Sequence, residues 1–259
     1  MTVAATVTRI AETFCGTDPG RSIAIYADRL GPVPVGVNAD LARPAASVIK
    51  VATVMALFDL ALEGRADLSE SVLVAALGET RYCSILKAFD RDRALSLREV
   101  AALSLITSDN PATVFVMSRV SMQDTSRVLS AAGCSAYATC KVGFSEAELG
   151  PANRANRLTA ADAVRLLQHL RRTARYAPIV TFLENNLRNA RIPALLPDDV
   201  VIAHKTGSLE GVVNDAGIVS RSGASFIVAF LSDGQSDHAA TQNDIAVCAL
   251  ALFDALIGE

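Results

Sequence analysis

The order in which apolar periodicity changes along this chain of 259 residues limits the folds that it can adopt. Helical spacing over Thr2–Phe14 precedes two strand-like runs, Ser22–Ala27 and Val33–Val37, which are joined by a turn containing glycine and proline. From Ser47 to about Ala190 the apolar residues recur at helical spacing, and glycines and a proline divide this stretch into separate helices. The first part of the chain therefore predicts a helix, a hairpin and a long helical region.

The pattern returns to strands in the last part of the chain. Three runs typical of strands, separated by turns that contain glycine, cover Val200–His204, Val212–Ser220 and Ser225–Ser232. A final helix is predicted from about Asp237 to Ile257. Strands from both ends can share one sheet, so we predict an α/β (α+β) fold. It has a five-stranded antiparallel sheet flanked by the N- and C-terminal helices, with an inserted all-helical lobe.

This order divides the chain into two predicted domains. Residues 1–46 and 191–259 form a discontinuous α/β sheet domain, and residues 47–190 form an all-helical domain. A cleft between two such domains is the usual place for a small-molecule site. We therefore expect functional residues on the walls of that cleft.

Composition and charge exclude several classes of protein and partner. The chain is 51% hydrophobic and 20% charged, which is too apolar for a disordered protein. The net charge is −3 and no run of Lys and Arg forms the basic face that phosphate contacts require, so we expect no nucleic-acid partner. Stretches such as Val51–Leu62 are shorter than the roughly 20 apolar residues that span a bilayer, so we expect no membrane partner. The expectation is a monomer that acts on a small molecule.

Cysteine usage and the N-terminus bear on cofactors and location. The five cysteines form neither a C-x-x-C pair nor a metal-ligand spacing with the three histidines, so we expect reduced, mostly buried thiols and no metal or other cofactor. They are Cys15, Cys83, Cys134, Cys140 and Cys248. Arg9 and Glu12 interrupt the place of a signal peptide's apolar block. The chain is therefore expected to be cytoplasmic or to have lost an export signal.

The segment Ser47-Val48-Ile49-Lys50 begins the first helix of the middle region. Residues three apart on a helix share a face, so the Lys50 amine can hydrogen-bond the Ser47 hydroxyl. A lysine that is partly desolvated loses enough basicity to act as a general base toward a serine nucleophile. The backbone N–H groups at a helix N-terminus also suit a developing oxyanion. Taken alone, the motif is more typical of a capping or surface serine beside a solvated lysine.

The segment Ser108-Asp109-Asn110 follows the predicted helix Leu97–Ile106 and precedes Pro111. We predict a polar loop tip at this point. A hydroxyl and an amide placed together there suit proton transfer to a leaving group and binding of a substrate carbonyl. The alternative is that these residues only cap a helix.

A third motif, Lys205-Thr206-Gly207-Ser208, follows an apolar strand that we end at His204. The glycine allows the backbone to approach a ligand closely, and the end of a strand is a suitable place for such an approach. The alternative is a lysine that protects an edge strand from aggregation. His204 is interpreted as a packed or solvent-facing side chain without a functional role.

Together the three motifs resemble the S-x-x-K, S-D-N and K-T-G set of the class A β-lactamase and penicillin-binding-protein superfamily. The text LSLREVAALSLITSDNPAT, and NDAGIV nearer the end, are also similar to that family. The resemblance covers nearly the whole chain, and it implies the same fold as the periodicity does. The family is usually exported, so the resemblance implies a periplasmic or secreted protein.

The resemblance implies a role for each motif residue. Ser47 is then the acylated nucleophile, Lys50 its proton partner and Ser108 the shuttle that passes a proton to the leaving nitrogen. Asn110 binds the amide of the substrate's side chain.

The K-T-G segment and the nucleophile share the remaining implied roles. Lys205 sets the electrostatic field around the shuttle serine and, with Thr206, binds a substrate carboxylate. The backbone N–H groups of Ser47 and Ser208 form the oxyanion hole, and Gly207 lies between the binding residues of this strand.

The deacylating base is the part of the family pattern that this sequence matches least. Class A enzymes use a glutamate from an E-x-x-L-N loop, and the nearest match is E-A-E-L-G, beginning at Glu146. Glu146 is the candidate base and Glu148 a lesser candidate, and the alternative is that both are solvated loop charges. An alignment backwards from Asn156 instead puts the glutamate position near Gly143, and then no base is present.

Two further positions bear on substrate binding. The family's basic residue on the strand after K-T-G has no match within Leu209–Val219, which weakens recognition of an acidic β-lactam. Tyr82 precedes S-D-N at about the distance of the aromatic residue that lines the class A cleft, and the alternative is a tyrosine packed under a loop.

Three functions remain open from the sequence. The first is a class A-type β-lactamase that opens the β-lactam amide through an acyl-enzyme at Ser47. The second is a β-lactamase-like esterase or amidase, or a D-Ala-D-Ala peptidase relative, with weak deacylation. The third is a non-catalytic sensor of β-lactams or peptidoglycan fragments, which the presence of a complete nucleophile motif disfavours.

Overall fold

The computed structural model describes residues 2–258, and strands from both ends of the chain form its central sheet. The strands are β1 (Arg21–Tyr26), β2 (Val35–Val37), β3 (Arg43–Pro44), β4 (Ser71–Leu73), β5 (Ala94–Ser96), β6 (Arg157–Leu158), β7 (Val201–Leu209), β8 (Val212–Arg221) and β9 (Ala224–Ser232). Five of them make one antiparallel sheet in the order β2-β1-β9-β8-β7. The predicted five-stranded antiparallel sheet is confirmed.

Helices cover both faces of this sheet. They are α1 (Val3–Cys15), α2 (Lys50–Leu62), α3 (Leu97–Ile106), α4 (Asn110–Met117), α5 (Met122–Ala131), α6 (Ala160–Arg172), α7 (Ala177–Glu184) and α8 (His238–Leu256). The terminal helices α1 and α8 pack together on one face, and α6 packs on β1 and β9 from the other. Both flanking terminal helices were predicted from their apolar spacing.

Alternate residues of β1 divide the apolar interior into two cores. Ile23 and Ile25 belong to the core beneath α1 and α8, whereas Ala24 and Tyr26 belong to the core formed with the middle helices. Successive side chains of a strand point to opposite faces, so a strand with helices on both faces is apolar at nearly every position. This explains the unbroken apolar text of β1, β8 and β9.

Capping residues fix where the helices next to the cleft begin. Ser96 and Glu99 form a capping box at the start of α3, with each side chain bonded to the other's backbone. Asp109 caps α4 by accepting a hydrogen bond from the Ala112 N–H, and Pro111 occupies the first turn, where its missing N–H is not needed. The S-D-N segment therefore ends at a fixed helix N-terminus.

The middle of the chain contains short strands that its periodicity does not predict. Strand β3 pairs with β6, and β4 pairs with β5. Each of these strands has only two or three residues, which is too short to establish a period of two. The middle region is therefore mainly helical rather than all-helical, and its division from the sheet as a separate domain stays a prediction.

The K-T-G segment lies inside β7 instead of following it. The strand predicted to end at His204 continues through Lys205, which is opposite Ala216, to Leu209, which is opposite Val212. The predicted boundary was wrong because the side chains of this part are polar, while the backbone still pairs fully with β8. No helix within residues 2–258 combines the length and apolar character that crossing a bilayer requires.

Removal of the Phe230 ring tests the packing of the sheet against the terminal helices. Phe230 is fully buried in β9, and its ring packs edge-on against Phe14, with 5.0 Å between the ring centroids. We expect Phe230→Ala to lower the free energy of unfolding by about 3–5 kcal/mol, measured by urea unfolding, because it leaves a cavity. The control is Val247→Ala at an exposed position of α8, with an expected change within about 0.5 kcal/mol. Equal effects of the two substitutions would contradict this packing.

Candidate active site

Ser47 lies in a tight turn that joins the sheet to α2. The turn, Ala46–Ile49, is a 3-10 helix, and Ala46 has a φ of 48°, which residues other than glycine rarely adopt. A Cβ added at Gly207 of β7 would lie 3.0 Å from the Ala46 Cβ and 3.2 Å from the Ser47 nitrogen. The backbone of β7 therefore packs directly against the turn that holds Ser47, and any side chain at position 207 would crowd this turn.

Lys50 is completely buried at the first position of α2. Its Nζ donates hydrogen bonds to the Asn110 Oδ1 at 2.8 Å and the Ser108 carbonyl oxygen at 2.9 Å, with a longer contact of 3.4 Å to the Ser108 Oγ. The predicted hydrogen bond to the Ser47 hydroxyl is not among those that residues 2–258 form. That detail was wrong because the amine is directed at the S-D-N segment, and a 3-10 turn precedes it.

The S-D-N segment is fixed from both sides. Ser108 has a φ of 60°, and the next residue, Asp109, is buried. The Asp109 carboxylate accepts hydrogen bonds from the Ser84 hydroxyl and the Ile85 N–H as well as from the first turn of α4. These contacts join the loop before α3 to the start of α4. The middle residue of the motif is therefore structural, while Ser108 and Asn110 contact the buried amine.

Two buried amines lie close enough to affect each other's charge. Burial lowers the pKa of Lys50 well below its usual value, and the positive charge of Lys205 lowers it further. Burial also lowers the pKa of Lys205 to about 7, with the positive charge of Arg188 acting in the same direction and Asp215 opposing it. The Lys205 Nζ donates to the Thr206 carbonyl oxygen at 2.9 Å. Near neutral pH, Lys50 is thus suited to accept a proton.

One cleft brings most of the predicted site residues together. Its volume is about 240 Å³, and both buried lysines contact residues of its wall. The cleft is lined by Ser47, Tyr82, Cys83, Ser108, Asn110, Arg188, Thr206 and Ser208. The three motifs, which are far apart in sequence, therefore meet at one concave surface.

A buried arginine holds the K-T-G strand in position. Arg191 donates to the Gly207 carbonyl oxygen at 2.9 Å, to the Ser208 Oγ at 2.6 Å and to the Asn214 carbonyl oxygen. These contacts orient Ser208 at the edge of the cleft. The sequence analysis did not single out Arg191, since its place in a loop before the strand has no motif signature.

His204 has a buried partner and lies on the strand just before Lys205. Its Nδ1 is 2.9 Å from the Asp215 Oδ1, and its Nε2 is 3.2 Å from the Asn189 Oδ1. The Asp215 carboxylate also accepts the Ile192 N–H. His204 thus packs between β8 and the loop that carries Arg191. The interpretation of a packed histidine agrees with these contacts.

A basic residue of the cleft comes from an unexpected part of the chain. The sequence analysis sought one after K-T-G, within Leu209–Val219, and found none. Arg188, which is exposed, lines the cleft from the loop before β7, and its Nε donates to the Thr107 carbonyl oxygen at 3.3 Å. Folding alone brings this loop to the cleft, so a search by distance from the motif could not find it.

The two candidate glutamates contact loop residues. The Glu146 carboxylate accepts hydrogen bonds from the Thr80 hydroxyl and the Arg81 N–H, and its Oε2 is 3.2 Å from the Arg81 Nε. The Glu148 carboxylate accepts from the Gly143 and Ser145 N–H groups and from the Ser145 hydroxyl. Neither set of contacts includes Ser47 or Lys50. The role of Glu146 as a base has no support here and stays a prediction.

An aromatic ring lies beside Lys50, in the loop that was expected to supply the base. Phe144 is buried, and its ring centroid is 4.5 Å from the Lys50 Nζ. The alignment backwards from Asn156 put the glutamate position near Gly143. The side chain that contacts the amine belongs to the next residue, Phe144. Sequence reasoning missed Phe144 because an apolar loop residue carries no catalytic signal.

Two exposed side chains close the cleft opposite β7. Tyr82 is 41% exposed and lines the cleft. This agrees with the prediction of an aromatic residue in the cleft wall and not with that of a tyrosine packed under a loop. Cys83 is also exposed and lines it, unlike the buried Cys15, Cys140 and Cys248. All five thiols are free. Within residues 2–258, no group of three His, Cys, Asp or Glu side chains is arranged to bind a metal ion.

The family model described as the β-lactamase enzyme family matches residues 5–256 of this chain. The chain belongs to the β-lactamase enzyme family. No curated protein sequence matches it.

Solved structures of β-lactamases share the fold of this family member. A β-lactamase from Sphaerobacter thermophilus DSM 20745 is 22% identical, with a TM-score of 0.85 over 97% of this chain and 96% of that one. A class A β-lactamase representative from Bacteroides cellulosilyticus DSM 14838 is 20% identical, with a TM-score of 0.85 over 100% of both chains.

A penicillin-binding protein has a similar fold. A mutant of PBP-A, solved as an acyl-enzyme complex with penicillin G, is 20% identical, with a TM-score of 0.80 over 98% of this chain and 95% of that one. The fold of this β-lactamase family member is therefore shared by β-lactamases and a penicillin-binding protein, and its own loops must distinguish these activities.

The lowered pKa of Lys205 predicts how the stability of this family member depends on pH. Between pH 7 and the ordinary lysine value of 10.5, the unfolded chain binds a proton that the folded chain has lost. Stability contributed by this group therefore rises with pH, by on the order of 1 kcal/mol per pH unit. We expect the free energy of unfolding of the wild type minus that of Lys205→Met to grow from pH 7 to pH 9, measured by urea unfolding.

The control for this prediction is Lys87→Met, at an exposed position. Its difference from the wild type should stay constant over the same range. A constant difference for Lys205→Met as well would mean that Lys205 keeps an ordinary pKa.

Proposed function

We propose that this chain is a serine enzyme that opens the β-lactam amide through an acyl-enzyme at Ser47 and releases the acyl group slowly. One observation carries the proposal: the Lys50 amine contacts Ser108 and Asn110 and also lies against the ring of Phe144. The groups needed for acylation surround the amine, whereas the loop expected to supply a base for hydrolysis contributes an apolar ring.

Acylation begins with attack of the Ser47 Oγ on the β-lactam carbonyl. A serine hydroxyl needs a base within reach, and burial lowers the pKa of Lys50, which favours the neutral amine that can accept the proton. A neutral amine has two N–H groups, which match the two short hydrogen bonds to Ser108 and Asn110. Its lone pair then remains available for the proton of Ser47.

The tetrahedral intermediate needs donors for its oxyanion. The N–H groups of Ser47 and Ser208 are the candidates, since β7 packs against the nucleophile turn through Gly207. Ser108 then passes a proton to the ring nitrogen as the amide bond breaks. This step uses a hydroxyl that already lies 3.4 Å from the Lys50 Nζ.

Positive charge near the K-T-G strand favours an anionic substrate. Protonated Lys205 and the exposed guanidinium of Arg188 flank the part of the cleft that contains Thr206. A β-lactam carboxylate can therefore bind here although no basic residue follows the motif. Asn110 also lines the cleft and suits the amide of the acyl side chain.

Hydrolysis of the ester needs a second base that holds a water molecule. The carboxylates of Glu146 and Glu148 bond to loop groups, and the ring of Phe144 occupies the position beside Lys50. A general base accelerates such a step by about 10²–10⁴-fold. Without one, release of the acyl group is expected to limit turnover.

The first experiment follows the adduct directly. Purified protein is mixed with excess penicillin G, the free drug is removed, and intact mass is recorded over time. We expect one added penicillin per chain and a decay over minutes to hours. Ser47→Ala should form no adduct, and Thr6→Ala, at a half-buried position of α1 outside the cleft, should behave as the wild type does.

Each other outcome has a defined meaning. Rapid hydrolysis with no lasting adduct would make the chain an efficient β-lactamase and would contradict slow release. Absence of any adduct on folded wild-type protein would contradict the acyl-enzyme itself and favour the non-catalytic sensor. An adduct that persists on Ser47→Ala would assign the nucleophile elsewhere.

A substitution at Phe144 tests why release is slow. Phe144→Glu introduces a carboxylate beside Lys50, and we expect it to shorten the lifetime of the adduct by at least about tenfold. Phe144→Gln is the matched control, because a glutamine side chain has nearly the same shape as glutamate but cannot act as a base. The adduct on this variant should persist. Adduct formation on both variants checks that they fold. Equal lifetimes for the two variants would contradict this explanation.

A further inference from the structure

The catalytic cleft adjoins two further cavities on the side of Asn110. The inner cavity has a volume of about 130 Å³ and shares Asn110 with the cleft. The outer cavity has a volume of about 420 Å³ and shares Thr80 and Pro111, among others, with the inner one. We call these two cavities the acyl-side groove, because they begin at the residue that suits the amide of an acyl side chain.

The walls of the inner cavity are largely apolar. Leu77 and Phe144 are buried side chains of this wall, and Val114 of α4 is a partly exposed one. Apolar walls of this kind favour a hydrocarbon segment over a charged one, since a buried charge without a partner is costly. A segment of a few methylene groups therefore suits this cavity.

The outer cavity is charged, and positive charge predominates. Lys87 and Arg91 line it together with one carboxylate, Glu79, which is 3.2 Å from Arg91. The Lys87 Nζ donates to the Tyr82 carbonyl oxygen at 2.8 Å, which leaves further N–H groups for a ligand. Two cations against one anion favour a negatively charged group at this end of the groove.

A bridge between loops joins the two walls of the inner cavity. Thr80 and Glu146 line it from different loops, and the Thr80 hydroxyl donates to the Glu146 carboxylate. The ion pair between Arg81 and Glu146 reinforces this bridge. The candidate base of the sequence analysis thus helps to build the wall of the groove, which gives Glu146 a role that does not require contact with Lys50.

We propose that the acyl-side groove binds an acyl substituent that consists of a short aliphatic segment ending in a carboxylate. The proposal rests on the proposed function, because the substituent belongs to the group transferred to Ser47. The order of contacts matches the order of cavities: amide at Asn110, methylene groups beside Val114, and carboxylate at Lys87 and Arg91.

The test uses penicillins that differ only at the end of the acyl chain. Hexanoyl, adipoyl and 6-aminohexanoyl derivatives of 6-aminopenicillanic acid present a neutral, an anionic and a cationic end at similar length. The second-order rate constant of acylation is measured for each by intact mass. We expect the adipoyl derivative to react about fivefold faster than the hexanoyl one, because an exposed ion pair between its carboxylate and Lys87 or Arg91 contributes about that much. The aminohexanoyl derivative should be the slowest of the three.

Variants assign the preference to the groove. Lys87→Gln and Arg91→Gln should each lower the ratio of the acylation rate constants of the adipoyl and hexanoyl derivatives. The double variant should bring this ratio close to one. Arg98→Gln, at an exposed position of α3 outside the groove, is the matched control and should leave the ratio unchanged. Val114→Phe should narrow the inner cavity. It should therefore lower the acylation rate constant of the hexanoyl derivative relative to that of the shorter acetyl derivative of 6-aminopenicillanic acid, whereas Val247→Phe in α8 should leave this ratio unchanged.

The outcomes separate this inference from the proposed function. Equal rates for the three ends, a preference for the cationic end, or a ratio that the groove variants leave unchanged would overturn the groove while Ser47 acylation stands. If none of the penicillins acylates the protein, the proposed function fails and the inference fails with it.

Discussion

The site depends on the burial of one amine. Lys50 has no contact with solvent, so its N–H groups need acceptors within the protein, and Ser108 and Asn110 supply them. These bonds connect α2 to the turn before α4, and Asp109 connects the same turn to the loop at Ser84. The desolvation that makes the charged amine costly also lowers its pKa. One constraint therefore both joins the helical elements of the cleft wall and lowers the pKa of the proposed base.

The second buried amine, Lys205, is also desolvated and close to positive charge. Lys205 shares its side of the cleft with Arg188, and its pKa of about 7 means that it changes charge near neutrality. A bound carboxylate would favour its protonated form, while the same positive charge lowers the pKa of Lys50. In the proposed function, binding of an anionic substrate and the basicity of Lys50 are thus coupled through the charge of Lys205.

The sequence predicts the parts of this protein that periodicity and short motifs encode. The five sheet strands and terminal helices follow from apolar spacing, and Ser47, Ser108 and Thr206 follow from motifs that the fold brings to one cleft. The extent of β7 beyond His204 depends on pairing with another strand, and Arg188 reaches the cleft through a loop, so neither has a local signal. The same holds for the position of Phe144 beside Lys50, which only packing determines.

The loop around Gly143 explains why an aromatic side chain, and not a carboxylate, faces Lys50. The Glu148 carboxylate accepts the Gly143 N–H, and a Cβ at Gly143 would lie 2.7 Å from one of its oxygens. A side chain at position 143 would therefore have to displace the Glu148 carboxylate, and the glycine found there leaves that carboxylate in place. The next residue, Phe144, is the one directed at the amine. A base introduced at position 144 would thus take the place of the ring that already lies beside the amine, whereas a base at position 143 would first have to displace the Glu148 carboxylate.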